Sequence, residues 1–246
     1  MRNLKRLFII LLGTWLLLST SAITLFVLNN PPARAAVAMI WGVIIFWVLI
    51  CGAVMYRFRK AIQGVVLKIR LQWQIKFVVF ATLLALLEEA IATAMTNLAP
   101  LFGVKIGEAY ITASTNFLDV VFFHSVIAFV GAFVFWALVL KRYDFSPFAT
   151  FLIFGISGIL AEVSFGGLYH FAEFGLWIFV YGLMVFLPAY TIPPATDRGA
   201  RRPKLYHYVL MIFLPALLVP LFTWIPKVID PVHPQPTHFL PLQPLK

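Results

Sequence analysis

Apolar runs of about 20 residues recur from one end of the chain to the other, and that recurrence limits the fold more than any motif does. They cover roughly 7–28, 36–56, 77–98, 117–140, 148–166, 174–192 and 207–226. A helix of about 20 residues is what crosses ~30 Å of hydrocarbon. None of the seven shows the ten-residue in-and-out alternation of a barrel strand. The expected fold is therefore all-α, a polytopic transmembrane helix bundle of about seven spans. Residues 1–226 form its single domain, and a Pro-rich tail, 227–246, follows. Composition agrees: 62% of residues are hydrophobic and 11% charged, where a soluble domain has about half and a quarter. The excess apolar surface has to face lipid.

The first run, LFIILLGTWLLLSTSAITLFVL, follows MRNLKR and so resembles a signal peptide. Its apolar core exceeds the ~7 to 15 residues of a signal sequence, which makes it a retained first helix. The formal net charge of +10 is spread unevenly. With the N-terminus placed inside, fifteen of the nineteen Lys and Arg residues fall in inside segments; Arg34, Lys105, Lys227 and Lys246 fall outside. That asymmetry predicts a cytoplasmic N-terminus, an external C-terminus and a multi-pass location in the cell membrane. The partners implied are the lipid bilayer and, at the basic loops, anionic headgroups, with no nucleic acid. Cys51 is the only cysteine, so no internal disulfide can form, and it reads as a small apolar packing residue.

Three connections are long. RFRKAIQGVVLKIRLQWQIK, residues 57–76, alternates polar and apolar from Leu67 to Lys76 and is expected to be an interfacial segment leading into the third helix. PLFGVKIGEAYITASTNFLD lies between the third and fourth spans; Ser114, Thr115 and Asn116 precede an apolar run that has Asp119 in its first turn. Those residues suit a helix start, with Asp119 against the helix dipole. The tail has prolines at 231, 234, 236, 241 and 244; it is expected to be extended, with His233 and His238 solvated.

Few ionisable groups fall deep inside the spans: Glu88 and Glu89 in the third, His124 in the fourth and Glu162 in the fifth. A charge at the centre of a span costs about 2.5 to 3.5 kcal/mol on insertion scales, so such residues face the bundle interior and have a role. Glu89 is 13 residues past Lys76, and Glu162 is 15 past Pro147. Both then lie about 20 Å from the inner edge; His124, seven residues past Phe117, descends to a similar level from the other side. Glu89, Thr93, Thr96 and Asn97 follow i, i+4, i+7, i+8 and make one polar stripe, a candidate water or substrate path from outside. Gly155 and Gly158 precede Glu162 at i−7 and i−4, the small residues that let membrane helices approach closely. Beyond the fifth span, Gly166 and Gly167 break the helix, and His170 and Glu173 follow, either as an interfacial pair or as a cap over the site.

An adjacent Glu pair on one span with histidines supplied by later ones resembles the CPBP group of intramembrane proteases, which includes the CAAX-processing enzymes. Glu88 and Glu89 correspond to the family's glutamate pair, His124 to the histidine of its second motif and His170 to that of its third. Thr93 stands where the family has Arg, Val120 where it has Phe, and Phe174 where it has Asn or Asp. The resemblance implies a glutamate-dependent hydrolase acting on a membrane-embedded peptide, with Glu88 or Glu89 as base and His124 stabilising the oxyanion. Other readings of the same residues remain open. Glu89, His124 and Glu162 suit a divalent metal such as zinc, although no HExxH spacing is present. Carboxyls at mid-depth also suit a proton-coupled transporter of a small solute. In a non-catalytic membrane subunit they would be interhelical hydrogen bonds alone. Phosphate-loop, GxSxG and dinucleotide-binding patterns are absent, and the last span has no lysine for a retinal Schiff base.

Overall fold

A computed structural model of the chain describes residues 2–222. The Pro-rich tail and residues 223–226 lie outside the described residues. Those described form ten α-helices, joined by turns, and no β-strand beyond isolated bridges. Helix α1 is Arg2–Phe26; α2, Pro31–Val43, continues through a π-helical stretch, Ile44–Cys51, into α3, Gly52–Lys68. Helix α4 is Trp73–Asn97, α5 Phe117–Phe123, α6 Ser125–Arg142, α7 Pro147–Gly166 and α8 Phe174–Tyr190. The short α9, Ala195–Arg198, and α10, Leu205–Phe222, complete them. Six helical segments are long and apolar enough to cross a membrane: Asn3–Phe26, Pro31–Lys68, Trp73–Asn97, Ser125–Arg142, Pro147–Ser164 and His170–Tyr190. They are what an integral, multi-pass membrane protein requires. Exposed side chains such as Leu11, Leu18, Phe46, Leu83 and Leu138 give these segments an apolar outer surface.

The helix starts follow capping chemistry. Asn30 accepts from the Ala33 N–H at 3.1 Å before Pro31, and Ser146 accepts from the Ala149 N–H at 3.2 Å before Pro147. Each satisfies one orphan donor, and a proline in the first turn has no N–H to orphan. Asn116 caps α5 through the Leu118 N–H at 3.0 Å, with Asp119 in the first turn as its position suggested.

Two boundaries differ from the sequence reading. The second span does not end at residue 56 but runs as one helical rod of 38 residues to Lys68. The alternating segment after it contributes only a short non-helical corner before Trp73. Lys76 explains where the rod stops: its ammonium donates to the carbonyls of Val66 at 3.1 Å and Ile69 at 3.4 Å, capping the final turn of α3. The fourth span, expected to be one helix over 117–140, is broken at His124, whose φ of −135° and ψ of −112° separate α5 from α6.

Helix α4 sits at the centre, packed on α2, α6 and α8, while α7 packs along α8 and receives α10 on another side. The α7–α8 contact is close because of glycine. A Cβ on Gly155 would come within 2.7 Å of the Ile178 carbonyl oxygen, and one on Gly182 within 2.8 Å of the Phe151 carbonyl oxygen. On Gly158 it would run into the Tyr181 ring. Trp47, fully buried in the π-helical stretch, donates to the Val180 carbonyl at 3.1 Å and ties the long rod to α8.

At one end of the bundle, Gln63 donates to the Tyr190 carbonyl at 2.7 Å, joining α3 to the end of α8. Nearby, the Arg198 guanidinium bonds Asp144 at 3.0 Å, the Pro193 carbonyl at 2.8 Å and the Leu140 carbonyl. Its side chain is 2% exposed, and burial lowers its pKa from the ordinary arginine value against the opposing pull of Asp144. The basic segments 57–76, 141–142 and 198–204 are thus gathered on one side of the bundle. At the other end, the α7–α8 turn stops short. The Trp15 indole donates to the Ala172 carbonyl at 3.1 Å, and Trp15 is eleven residues before the end of α1. The turn therefore lies about 16 Å below that end.

Candidate functional site

The interior polar groups come from α4, α6, α7, α8 and the turn between the last two. Glu88 and Glu89 occupy successive positions in the middle of α4, and both are buried, at 7% exposure each. Successive helical residues point about 100° apart, so the pair meets different neighbours. Glu88 interacts electrostatically with Glu89 and Glu162. Glu89 is met by the Ser125 hydroxyl, from the first residue of α6, and by the charge of Glu162. Glu162 stands one turn before the end of α7, half-buried, and accepts a hydrogen bond from the Tyr181 hydroxyl of α8. Tyr181 lies close enough to feel all three carboxyls. Its ring packs on the Cβ-less surface of Gly158, stacks on Trp177 at 6.0 Å and meets Phe129 edge-on at 5.7 Å.

A second polar group caps this cluster. Gly167, at φ +110°, turns the chain out of α7 into a 3-10 turn, Leu168–Glu173; a side chain there would be strained. Within that turn His170 Nδ1 is 3.0 Å from Glu173 Oε2, and Glu173 also accepts from the Trp177 indole at 3.2 Å. His170 and Glu173 are both in electrostatic contact with Glu162. The carboxyls in the middle of α4, Glu162 with Tyr181, and the His170–Glu173 pair at the turn are thus within electrostatic reach of one another in succession.

Of the three residues expected to share a level, Glu89 and Glu162 are near enough to interact electrostatically, and Glu88 joins them. His124 is placed differently: it is exposed, at the junction of α5 and α6, rather than facing inward from the middle of a helix. The polar groups of the stripe above Glu89 are engaged by a neighbouring segment, although Asn97 stays exposed. Thr96, fully buried, accepts from the Thr112 hydroxyl at 2.9 Å and from the Ile111 N–H at 3.2 Å. Asn97 donates to the carbonyls of Thr93 at 3.1 Å and Thr115 at 2.9 Å. Asp119 is buried and accepts from Ser114 at 3.1 Å. The upper stripe is therefore the strip on which the 103–116 connection docks. Thr93 is the exception: it is 3% exposed, and its hydroxyl has no hydrogen-bond partner among the described residues.

No group of three His, Cys, Asp or Glu among the described residues is arranged to hold a metal ion. The set Glu89, His124 and Glu162 therefore lacks the geometry that a zinc reading needs. Tyr181 and Ser125 belong to the cluster but were not singled out in the sequence. The signal for Tyr181 was available, because it lies seven residues into its apolar run, as His124 does in its own. Ser125 carried no such signal. No family model matches the chain, and no curated protein or solved structure matches it either.

Proposed function

We propose that this chain is an inner-membrane-type transporter that couples proton exchange at the Glu88, Glu89, Glu162 and Tyr181 cluster to movement of a small solute. The N-terminus and the basic segments would face the cytoplasm, following the distribution of Lys and Arg. One observation carries the reading: three carboxyls from two helices and a tyrosine hydroxyl meet in the interior and continue to His170 and Glu173 at the short α7–α8 turn. Three carboxylates cannot all stay ionised in a water-poor interior without compensating charge, so protons or another cation must share the site with them. Interhelical adhesion alone would be served by Asn or Ser at lower cost.

A second reading, a glutamate-dependent intramembrane hydrolase, is favoured by a separate observation. The break before α6 sets His124 directly ahead of Ser125, whose hydroxyl meets Glu89. In this reading Glu89 would act as general base on water, and His124, next to Ser125 in the chain, would supply the second polar group.

Proteoliposomes test both readings, with an internal pH dye for transport and mass analysis of a reconstituted membrane-spanning peptide for cleavage. Transport predicts a lumenal pH change driven by one class of small solute, abolished by Glu88→Gln and Glu89→Gln in protein that still folds. The hydrolase predicts a covalent product from a membrane-spanning peptide, lost in the same variants and in His124→Ala. If the substitutions alter only thermal stability and neither signal exists in wild type, the cluster is structural and both readings fall.

A further inference from the structure

We infer that the solute is a small organic cation, a protonated or quaternary amine bound between the carboxyls of α4 and α7 in place of protons. This rests on the transport reading above. The first observation is the sign of the site. Between Lys76 and Arg198 the only Lys and Arg residues are Lys105, Lys141 and Arg142, all at or beyond helix ends. No Lys or Arg is therefore carried on α4 past Lys76, on α7 or on α8 to neutralise Glu88, Glu89 and Glu162. The second observation is Thr93. Its hydroxyl is buried and unpartnered, one turn beyond Glu89 on the same face of α4. Helical side chains lean toward the N-terminus, so this hydroxyl leans over the turn that carries Glu89. A buried hydroxyl with no partner is costly, and an ammonium N–H or a polar substituent on a ligand would satisfy it. The third observation is aromatic: Tyr181, which donates to Glu162 and lies within electrostatic reach of Glu88 and Glu89, is stacked on Trp177 and edged by Phe129, an aromatic wall beside the carboxyls of the kind that suits an organic cation. A bare metal ion would instead need a close ligand set, and none is present among the described residues.

Around the site, His170 and Glu173 are paired with each other and act on Glu162 with opposite signs. Asp119, on α5, is held by Ser114, and α2 offers only Arg34 near its start, beyond the site. His124 stands exposed at the α5–α6 junction. On α10, His207 lies toward the basic end, its Nδ1 accepting from the Lys204 N–H and its ring beside Tyr143 and Tyr206.

The test uses the full-length purified protein and three probes sharing a benzyl-type ring: benzyltrimethylammonium, benzyl alcohol and benzenesulfonate. Calorimetry in a weakly buffered detergent solution should show saturable binding of the ammonium alone, with protons released on binding. Lowering the pH should weaken it. Glu88→Gln and Glu89→Gln should each reduce binding about tenfold or more, and Tyr181→Leu should reduce it more than Tyr181→Phe. Thr93→Val, which changes neither charge nor size, should weaken binding of benzylamine, added for this comparison, more than that of the quaternary probe. Glu108→Gln, in the external connection, should bind as wild type does. Equal binding of all three probes, or binding that ignores the glutamates, overturns the cation assignment. If proteoliposomes then show a proton-coupled response to a neutral or anionic solute, the cation assignment falls and the transport reading stands. If no solute gives such a response, both fall.

Discussion

Replacing Gly155 by alanine tests how the helices carrying the site are held together. The added carbon would lie 2.7 Å from the Ile178 carbonyl oxygen and 2.8 Å from its Cα, both backbone atoms that no rotamer change can move. Ordinary contact begins near 3.4 Å, so α7 and α8 must separate by about 0.7 Å. Helix propensity favours alanine over glycine by about 0.5 to 1 kcal/mol. Overpacking of a close interface costs about 1 to 3 kcal/mol, and within lipid that packing is itself the main attraction between helices. The net loss expected is about 1 to 2 kcal/mol. Gly13→Ala is the matched control, because nothing lies within 4 Å of the new carbon; it should be neutral or stabilising by up to about 1 kcal/mol. Unfolding in mixed micelles by added dodecyl sulfate, followed by tryptophan fluorescence, reads the difference between the two. If Gly155→Ala proves as stable as Gly13→Ala, the helices are not in the close register described, and the alignment of Glu162 with Tyr181 loses its basis.

Three other outcomes follow from the same contacts. A double-mutant cycle of Glu162→Gln and Tyr181→Phe, measured in the same unfolding assay, should give a coupling energy of about 1 to 2 kcal/mol, and additive effects would refute the hydrogen bond between them. Thr96→Val removes the acceptor for the Thr112 hydroxyl and the Ile111 N–H; it should cost about 1 to 3 kcal/mol and speed hydrogen exchange at Ile111, and unchanged exchange there would contradict docking of the connection on α4. Arg198→Gln strips bonds from the carbonyls of Leu140 and Pro193 and from Asp144; a loss of about 2 to 4 kcal/mol is expected, against less than ~1 for Arg202→Gln on the exposed surface, and equal effects would refute the buried role of Arg198.

The helices and the convergence of the carboxyls could be read from the sequence for the same reason: both depend on distance along the chain. An apolar run is long enough or it is not, and counting residues from Lys76 and Pro147 put Glu89 and Glu162 at one level before any contact was known. The glycines of α7 signalled a packing face in the same way. What escaped depends on partners distant in sequence. Thr93, Thr96 and Asn97 have one periodicity whether they line a channel or bind a loop, and only the position of Ile111, Thr112 and Thr115 decides between the two. The interruption at His124 has no local cause in VVFFHSVIAF, which contains neither glycine nor proline. The segment 57–68 is polar enough to suggest a boundary, yet its helix is held by Gln63 on α8 and by Lys76 capping from the start of α4.

The short α7–α8 hairpin bears on how an interior site can be reached. Helix α4, with 25 residues, is about 37 Å long, whereas α8, with 17, is about 25 Å. Glu162 is four residues from the end of α7, so it lies only about 6 Å below the turn, although α4 rises about 12 Å beyond Glu89 on the other side of the cluster. Depth measured along α4 and depth measured from the turn therefore describe the same carboxyls as central and as shallow. The 103–116 connection is bonded to Thr96 and Asn97, and the Phe133, Phe154 and Trp136 rings pack between α6 and α7. The turn with His170 and Glu173 lies on the near side of Glu162, and in the transport reading proposed above it is the side from which a proton or cation would enter.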